Sequence, residues 1–283
     1  MTERTQQELF RHGAAYLTRR GVEDADFDAR QLLLHQFGID NTRFLTEGDR
    51  PVDENEAAAY EALLARRASG EPLQYILGQW DFYGGTFFVG PGVLIPRPET
   101  EQLTEWCIAR IGRGETETVY DLCAGTGCIG LSIARACPRT TVYLFELYEG
   151  AFGYLQKNAE AMALPNARLV TADVLRGCPA GLPAPDGIVS NPPYIKAEEI
   201  AGLQREVGFE PAAALDGGKD GTVFYRAIAE QWLPLLKANG FVAVECGEGQ
   251  PDTVAELFGT ALSCACIRDH FGVTRFVTGV KKE

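Results

Sequence analysis

A glycine-rich corner between an apolar strand and a helix constrains this chain more than any other stretch. The run Asp121-Leu-Cys-Ala-Gly125-Thr126-Gly127 follows a β-branched stretch near Val119 and precedes a helical pattern from Cys128. A strand that turns on glycines directly into a helix is the opening unit of a doubly wound α/β sheet, and its glycines let the backbone approach a ligand at the sheet's carboxyl edge. The alternation continues to the C-terminus. It predicts strands near 118–122, 141–146, 167–171, 186–190, 240–246, 263–268 and 274–279, with helices most clearly at 128–136, 150–163 and 222–238.

Before residue 75 the pattern is helical throughout. Thr5-x-x-Glu8 predicts a capping box for a helix carrying Phe10, Ala14 and Leu17, ended by Gly21; Met1-Thr2-Glu3-Arg4 leads into it as a polar start rather than a signal sequence. A second helix starts at Asp24/Asp26, with Phe27, Leu33, Leu34 and Phe37 on its apolar side and Gly38 as its stop. A third runs from Asp53-x-x-Glu56 to Gly70. Trp80 to Val89 holds aromatic strands about Gly84-Gly85, a hairpin signal. These readings divide the chain into a helical domain at 1–75, a β-hairpin linker at 76–92 and an α/β domain at 93–283.

Charge and cysteine usage exclude several functions. The formal net charge is −13, with 9 basic and 15 acidic residues in 1–90 and 17 and 24 in 91–283, so neither part is basic. A protein that grips nucleic acid by its phosphates shows a Lys/Arg-rich face, and here the first lysine is Lys157. No apolar run is long enough to span a bilayer. The eight cysteines form no C-x-x-C pair and accompany only three histidines, which supports neither a metal site nor a disulfide framework. A cytoplasmic protein, monomeric, without metal, membrane or direct nucleic-acid contact, is the expectation.

Two cofactors fit the glycine loop. Gly125-Thr-Gly127-Cys-Ile-Gly130 also matches the dinucleotide pattern, with Glu146 about 20 residues on. An aspartate at the strand end would repel a pyrophosphate, whereas S-adenosylmethionine (SAM) carries no phosphate and has a positive amino group and sulfonium, so Asp121 favours SAM. Glu146 and Asp173 end the next two strands, where they can accept from ribose hydroxyls and from the adenine amino group. An NAD oxidoreductase and a SAM-binding module without turnover are the rivals.

Ile188-Val189-Ser190-Asn191-Pro192-Pro193-Tyr194 turns a buried strand into a stiff polar corner. Two prolines fix φ and remove two donors, leaving unpartnered carbonyls. Asn191 adds an amide oxygen and Tyr194 a flat ring, a set suited to a planar NH2 group. A mere sensor of SAM would not need such acceptors.

Together, D-L-C-A-G-T-G, the strand-end Glu146 and Asp173, and I-V-S-N-P-P-Y resemble class I SAM-dependent methyltransferases, a fold with a doubly wound seven-stranded sheet. E-P-L-Q-Y-I-L-G (71–78), L-I-P-R-P-E-T-E (94–101) and E-V-G-F-E-P-A-A-A-L-D-G-G-K-D-G (206–221) narrow the likeness to the peptide chain release factor glutamine N5-methyltransferases, the PrmC/HemK family. The resemblance implies methylation of the glutamine in the GGQ tripeptide of class 1 release factors, with the helical domain helping to hold that partner. It implies SAM contacts from Asp121, Cys123, Ala124, Gly125, Thr126, Gly127, Glu146, Asp173, Val174 and Asn191. Asn191, Pro192, Pro193 and Tyr194 would hold the glutamine, with Asn191, Pro192 and Tyr194 in the catalytic roles. A sister family that methylates a ribosomal-protein glutamine, and adenine-N6 nucleic-acid enzymes, share N-P-P-Y and stand as alternatives.

Overall fold

The structure is a computed structural model that describes residues 4–112 and 117–282; Met1–Glu3 lie outside it. The chain divides into two units. One runs to Gln79 and takes in Gln204–Phe209; the other comprises Trp80–Leu203 and Glu210 onward.

The first unit is helical: α1 (Gln6–Arg19), α2 (Ala25–Phe37), α3 (Asn41–Glu47), α4 (Glu54–Ala68) and α5 (Leu73–Leu77). Thr5 and Glu8 form the reciprocal capping box expected at α1, satisfying two backbone donors at once. Gly38 ends α2 in the left-handed conformation, as expected. The expected face of α2 holds in part: Leu33 is buried and Leu34 and Phe37 are half-buried, as expected. Phe27 departs from it at 49% exposed, while Ala25, Ala29 and Leu32 join the core instead. Arg67 of α4 is buried and pairs with Asp28 of α2 and with Glu206. Tyr60 donates its hydroxyl to the Ala29 carbonyl at 3.0 Å, so its buried polar tip is satisfied.

A hairpin follows, β1 (Gln79–Phe82) and β2 (Gly85–Phe88), which belongs to the second unit from Trp80 onward. Its turn is Tyr83-Gly84, both at positive φ (47° and 67°), one residue earlier than the Gly84-Gly85 expected. Two successive positive φ values give the turn the twist that paired strands need. Helix α6 (Pro98–Arg110) follows, with Pro98 in its first turn. Then come β3 (Thr118–Leu122), α7 (Cys128–Ala136), β4 (Thr141–Glu146), α8 (Glu149–Met162), β5 (Ala167–Thr171), β6 (Gly187–Ser190), α9 (Val223–Ala227), β7 (Phe241–Glu245), α10 (Pro251–Gly259), β8 (Leu262–Arg268) and β9 (Thr274–Lys281). The helix expected over 222–238 is broken: α9 passes into a π turn at Ile228–Trp232 and a 3-10 turn at Leu233–Leu235. Pro234 explains the break, since it lacks an N–H and its ring clashes with the carbonyl four residues back.

The sheet order is β5-β4-β3-β6-β7-β9-β8, with β9 antiparallel between β7 and β8 and the remaining pairs parallel. Its two faces bury separate cores. Leu103, Ile129, Leu131 and Leu155 cover one face; Tyr225, Trp232, Val254 and Phe258 cover the other. On the second face Trp232 meets Tyr120 and Phe145 edge-on, with centroids 6.1 and 5.0 Å away. Full burial of each such ring contributes on the order of 2–3 kcal/mol. The chain reverses its winding direction between β3 and β6, and the crevice beyond their carboxyl ends is where such a sheet binds ligands. No helix among the described residues is long and apolar enough to cross a membrane.

Candidate active site

Strand register brings the two motifs together. Leu122 on β3 pairs with Ser190 on β6, and Ser190 pairs with Val244 on β7, so Cys123, Asn191 and Glu245 come next on three adjacent strands. The Ser190 hydroxyl donates to the Leu122 carbonyl at 2.7 Å and ties the two strand ends. Beyond them lies a cavity of about 220 Å3 lined from both motifs, by Cys123, Ala124, Gly125 and Thr126 after β3 and by Asn191 and Pro193 after β6, with Glu146, Asp173 and Val174 from the ends of β4 and β5 beyond the glycine loop.

The glycine loop is shaped for close approach. Cys123 has φ 59°, a left-handed conformation costly for a side chain with a Cβ, and Gly125 (57°) and Gly127 (79°) continue the turn. Gly127 caps α7 at φ 79°, and a Cβ there would lie 2.5 Å from Leu155 Cδ1 and 3.2 Å from Leu131 Cγ, so glycine suits the start of α7. Glu146 is 6% exposed and accepts three backbone N–H groups: Gly125 at 2.8 Å on one oxygen, Leu147 at 2.8 Å and Tyr148 at 2.9 Å on the other. A carboxylate offers about four lone-pair sites, so the oxygen facing Gly125 keeps room for a ligand hydroxyl. Asp173 lines the cavity while one of its oxygens accepts from Leu175 N at 2.9 Å. Asn158, which no motif in the sequence marks, is buried. It donates to the Thr126 and Phe88 carbonyls and accepts from Phe88 N, joining the hairpin to the loop.

Of the expected contacts, Asp121, Gly127, Pro192 and Tyr194 do not line the cavity. Asp121 is 1% exposed and accepts from Gly130 N at 2.8 Å, while its second oxygen has no partner. Burial pushes its carboxyl up to about 8, the Gly130 N–H opposes this and Glu146 adds to it. Its hydrogen bond to the first turn of α7 is the contact the structure shows for it, and it does not reach the cavity where its charge was expected to favour SAM.

At the corner, Asn191 donates its amide N–H to Thr100 Oγ1 at 3.4 Å, and Thr100 donates to the buried Glu245 at 2.6 Å. Among the described residues neither the Asn191 side-chain oxygen nor the Pro192 carbonyl accepts a protein hydrogen bond. Tyr194 does not line the cavity; it packs on the second core, with its carbonyl held by Gln250 Nε2 at 2.9 Å, and burial raises its phenol. Gly217 and Gly221 press against it, where a Cβ would come within 2.8 Å of Tyr194 Cα and 2.5 Å of Tyr194 O. The segment 206–221 is thereby explained in part: its glycines let the chain pack against the corner.

The motif at 94–101 also acquires roles. Glu210 accepts from Ile95 N at 2.9 Å and pairs with Arg97, while Glu101 accepts from Tyr83 N at 2.8 Å in the hairpin turn. Thr100 lines the cavity, and only its place in a motif of otherwise unassigned charges could have marked it.

The cavity suits SAM. It is mostly apolar with a few carboxylates at strand ends, and the left-handed turn exposes loop backbone where a phosphate-free nucleoside can approach. Two family models match the chain, the PrmC N-terminal domain over residues 8–78 and the methyltransferase small domain over residues 99–217. The release factor glutamine methyltransferase of Geobacter sulfurreducens is 40% identical over 93% of this chain and 92% of its own length. That of Koribacter versatilis is 33% identical over 98% of this chain and 99% of its own. Among solved structures, the T. thermophilus 16S rRNA N2 G1207 methyltransferase in complex with AdoMet and guanosine superposes with a TM-score of 0.51 and 24% identity, over 72% of this chain and 50% of that one; this likeness speaks to the fold. With full-length relatives of that identity, a class I methyltransferase sheet and SAM as its cofactor, the chain belongs to the release factor glutamine methyltransferase family.

Proposed function

We propose that this protein transfers a methyl group from SAM to the side-chain amide nitrogen of the glutamine in the GGQ tripeptide of class 1 release factors. The observation that supports the reading is Asn191, whose amide oxygen accepts no hydrogen bond among the described residues, on the wall of the cavity that Glu146 and the Gly125 turn also line.

Cys123 to Thr126, Glu146, Asp173 and Val174 would hold the cofactor with Gly127 shaping the turn, and Asn191 and Pro192 would hold the glutamine with Tyr194 packed on the core behind them. When bound, SAM supplies an electrophilic methyl carbon on a sulfonium. The chain's task is the nucleophile. An amide nitrogen is poor because its lone pair is delocalised, and drawing on that pair leaves the nitrogen positive and its two N–H groups stronger donors. The Asn191 oxygen and the Pro192 carbonyl accept from those two N–H groups. Both bind the charged state better than the neutral amide, which is the differential stabilisation that catalysis requires. Pro192, Pro193 and the hold of Gln250 on Tyr194 keep the acceptors fixed, so little reorganisation is needed at transfer. A general base is not required beforehand, because the N–H proton is lost after the nitrogen has become cationic.

The helical segment 1–75 is assigned the docking of the release factor, and 93–283 the chemistry. The net charge of −13 supports a protein rather than a nucleic-acid substrate. Eight free thiols are in keeping with a cytoplasmic setting. The test is incubation with labelled SAM and either a release factor or its GGQ Gln→Ala variant. Label on the intact factor alone is expected; label on both, or only on a ribosomal protein or nucleic acid, overturns the reading.

A further inference from the structure

A side-chain amide has two ends of nearly equal shape and opposite hydrogen-bonding character. If Asn191 presented its NH2 rather than its oxygen to a substrate NH2, donor would face donor and the corner would repel the group it must bind. Something has to tell the two ends apart. Nothing in the N-P-P-Y segment does so, since the prolines offer no N–H to the Asn191 oxygen.

The discrimination comes from two other elements. Thr100 is on the first turn of α6 and Glu245 is the last residue of β7, and both are 1% exposed. The Thr100 hydroxyl has a single proton, and it donates that proton to Glu245 Oε2 at 2.6 Å. Only lone pairs then remain on Thr100 Oγ1 for Asn191, which can meet them only with its N–H end, 3.4 Å away. The oxygen end is left for the cavity. Glu245 keeps this polarity as long as it accepts. Burial raises its carboxyl, Thr100 opposes the rise, Glu99 adds to it, and Arg275 and Arg97 oppose it. Glu245 is in place because Val244 pairs with Ser190, so that Glu245 follows on its strand where Asn191 follows on its own.

We propose that Thr100 and Glu245 are positioning residues for methyl transfer: a directional hydrogen-bond chain from Glu245 through the Thr100 hydroxyl fixes the orientation of the Asn191 amide. The proposal rests on the amide-acceptor reading of Asn191 and deepens it.

The test compares Thr100→Val, which keeps the shape and removes the hydroxyl, with Thr100→Ser, which keeps the hydroxyl. Release-factor methylation is followed for kcat and KM, SAM binding by calorimetry, and folding by thermal melting. Thr100→Val is expected to lose at least about tenfold in kcat, a fraction of the roughly hundredfold or more that loss of a whole transition-state contact costs, with SAM affinity kept within about threefold. Thr100→Ser is expected to recover most of that loss. Unchanged kcat in Thr100→Val overturns the proposal. So does equal impairment of Thr100→Ser, or a loss of SAM affinity that matches the loss of kcat, because Thr100 would then act by packing or as a cofactor contact. Should Thr100→Val fail to fold, kcat of Thr100→Ser within about threefold of wild type upholds the chain and a tenfold loss refutes it. If the unsubstituted protein does not methylate release factor, it is the amide-acceptor reading that fails, an outcome visible before either variant is compared.

Discussion

The Gly125 N–H donates to Glu146 Oε2 at 2.8 Å, so the residue that ends β4 holds the turn that follows β3. The other oxygen holds Leu147 and Tyr148, and one carboxylate thereby shapes two walls of the cofactor cavity. Glu146→Gln supplies one acceptor oxygen for three donors and turns an NH2 toward at least one of them. An unsatisfied buried donor costs about 1–3 kcal/mol. SAM affinity is expected to fall about tenfold or more, with a lower melting temperature; unchanged calorimetric affinity would remove Glu146 from this role.

Cys123 holds a left-handed conformation at φ 59°. For a residue with a Cβ this costs roughly 1–2 kcal/mol, part of which glycine gives back through its greater freedom in the unfolded chain. Cys123→Gly is therefore expected to be more stable than Cys123→Ala by about 1 kcal/mol in urea denaturation. An alanine variant equal or superior to glycine would contradict this.

Asp121 makes stability depend on pH in a direction unusual for a carboxyl group. Its folded value, about 8, lies above the ordinary 3.8, so the native state holds the proton more tightly than the unfolded chain does. The stability it contributes is present in full below about 3.8 and is lost as pH rises through about 8, at up to about 1.4 kcal/mol per pH unit. Asp121→Asn keeps an acceptor for Gly130 and cannot ionise. In the cofactor-free protein its melting temperature, relative to wild type, is expected to rise from pH 5 to pH 8. A difference constant across that range would show that Asp121 is charged in the fold.

The docking role assigned to the helical segment separates two affinities. Removal of residues 1–70 is expected to raise KM for release factor more than the Kd for SAM. It also removes Arg67, the partner of Glu206. Equal losses in both constants would make the segment a structural part only.

Much of the fold was legible because its signals are local. Runs such as Val242-Ala-Val244 and Ile188-Val189 mark buried strands, and the seven strands fall where the pattern places them. Departures arose where a distant contact decides. Phe27 shares a helical stripe with the apolar residues of α2, yet packing against the neighbouring helices selects Ala29 and Leu32 instead. Pro234 turns a predicted helix into π and 3-10 turns. In the site, the glycine loop and the N-P-P-Y corner could be read from residue type, since only such residues make those turns. The burial of Asp121 could not, because a strand-end acid looks the same whether it meets a ligand or the helix behind it. The link from Thr100 to Glu245 spans 145 residues of sequence and carries no local mark.

The claim on which the account depends is that Asn191 offers its oxygen to the substrate amide. It is tested most directly by single-turnover methylation of release factor with Asn191→Ala, alongside calorimetric SAM binding. The account predicts a rate roughly 100- to 1,000-fold lower, the cost of deleting one such transition-state contact, with SAM binding retained. Methylation at the wild-type rate would contradict it.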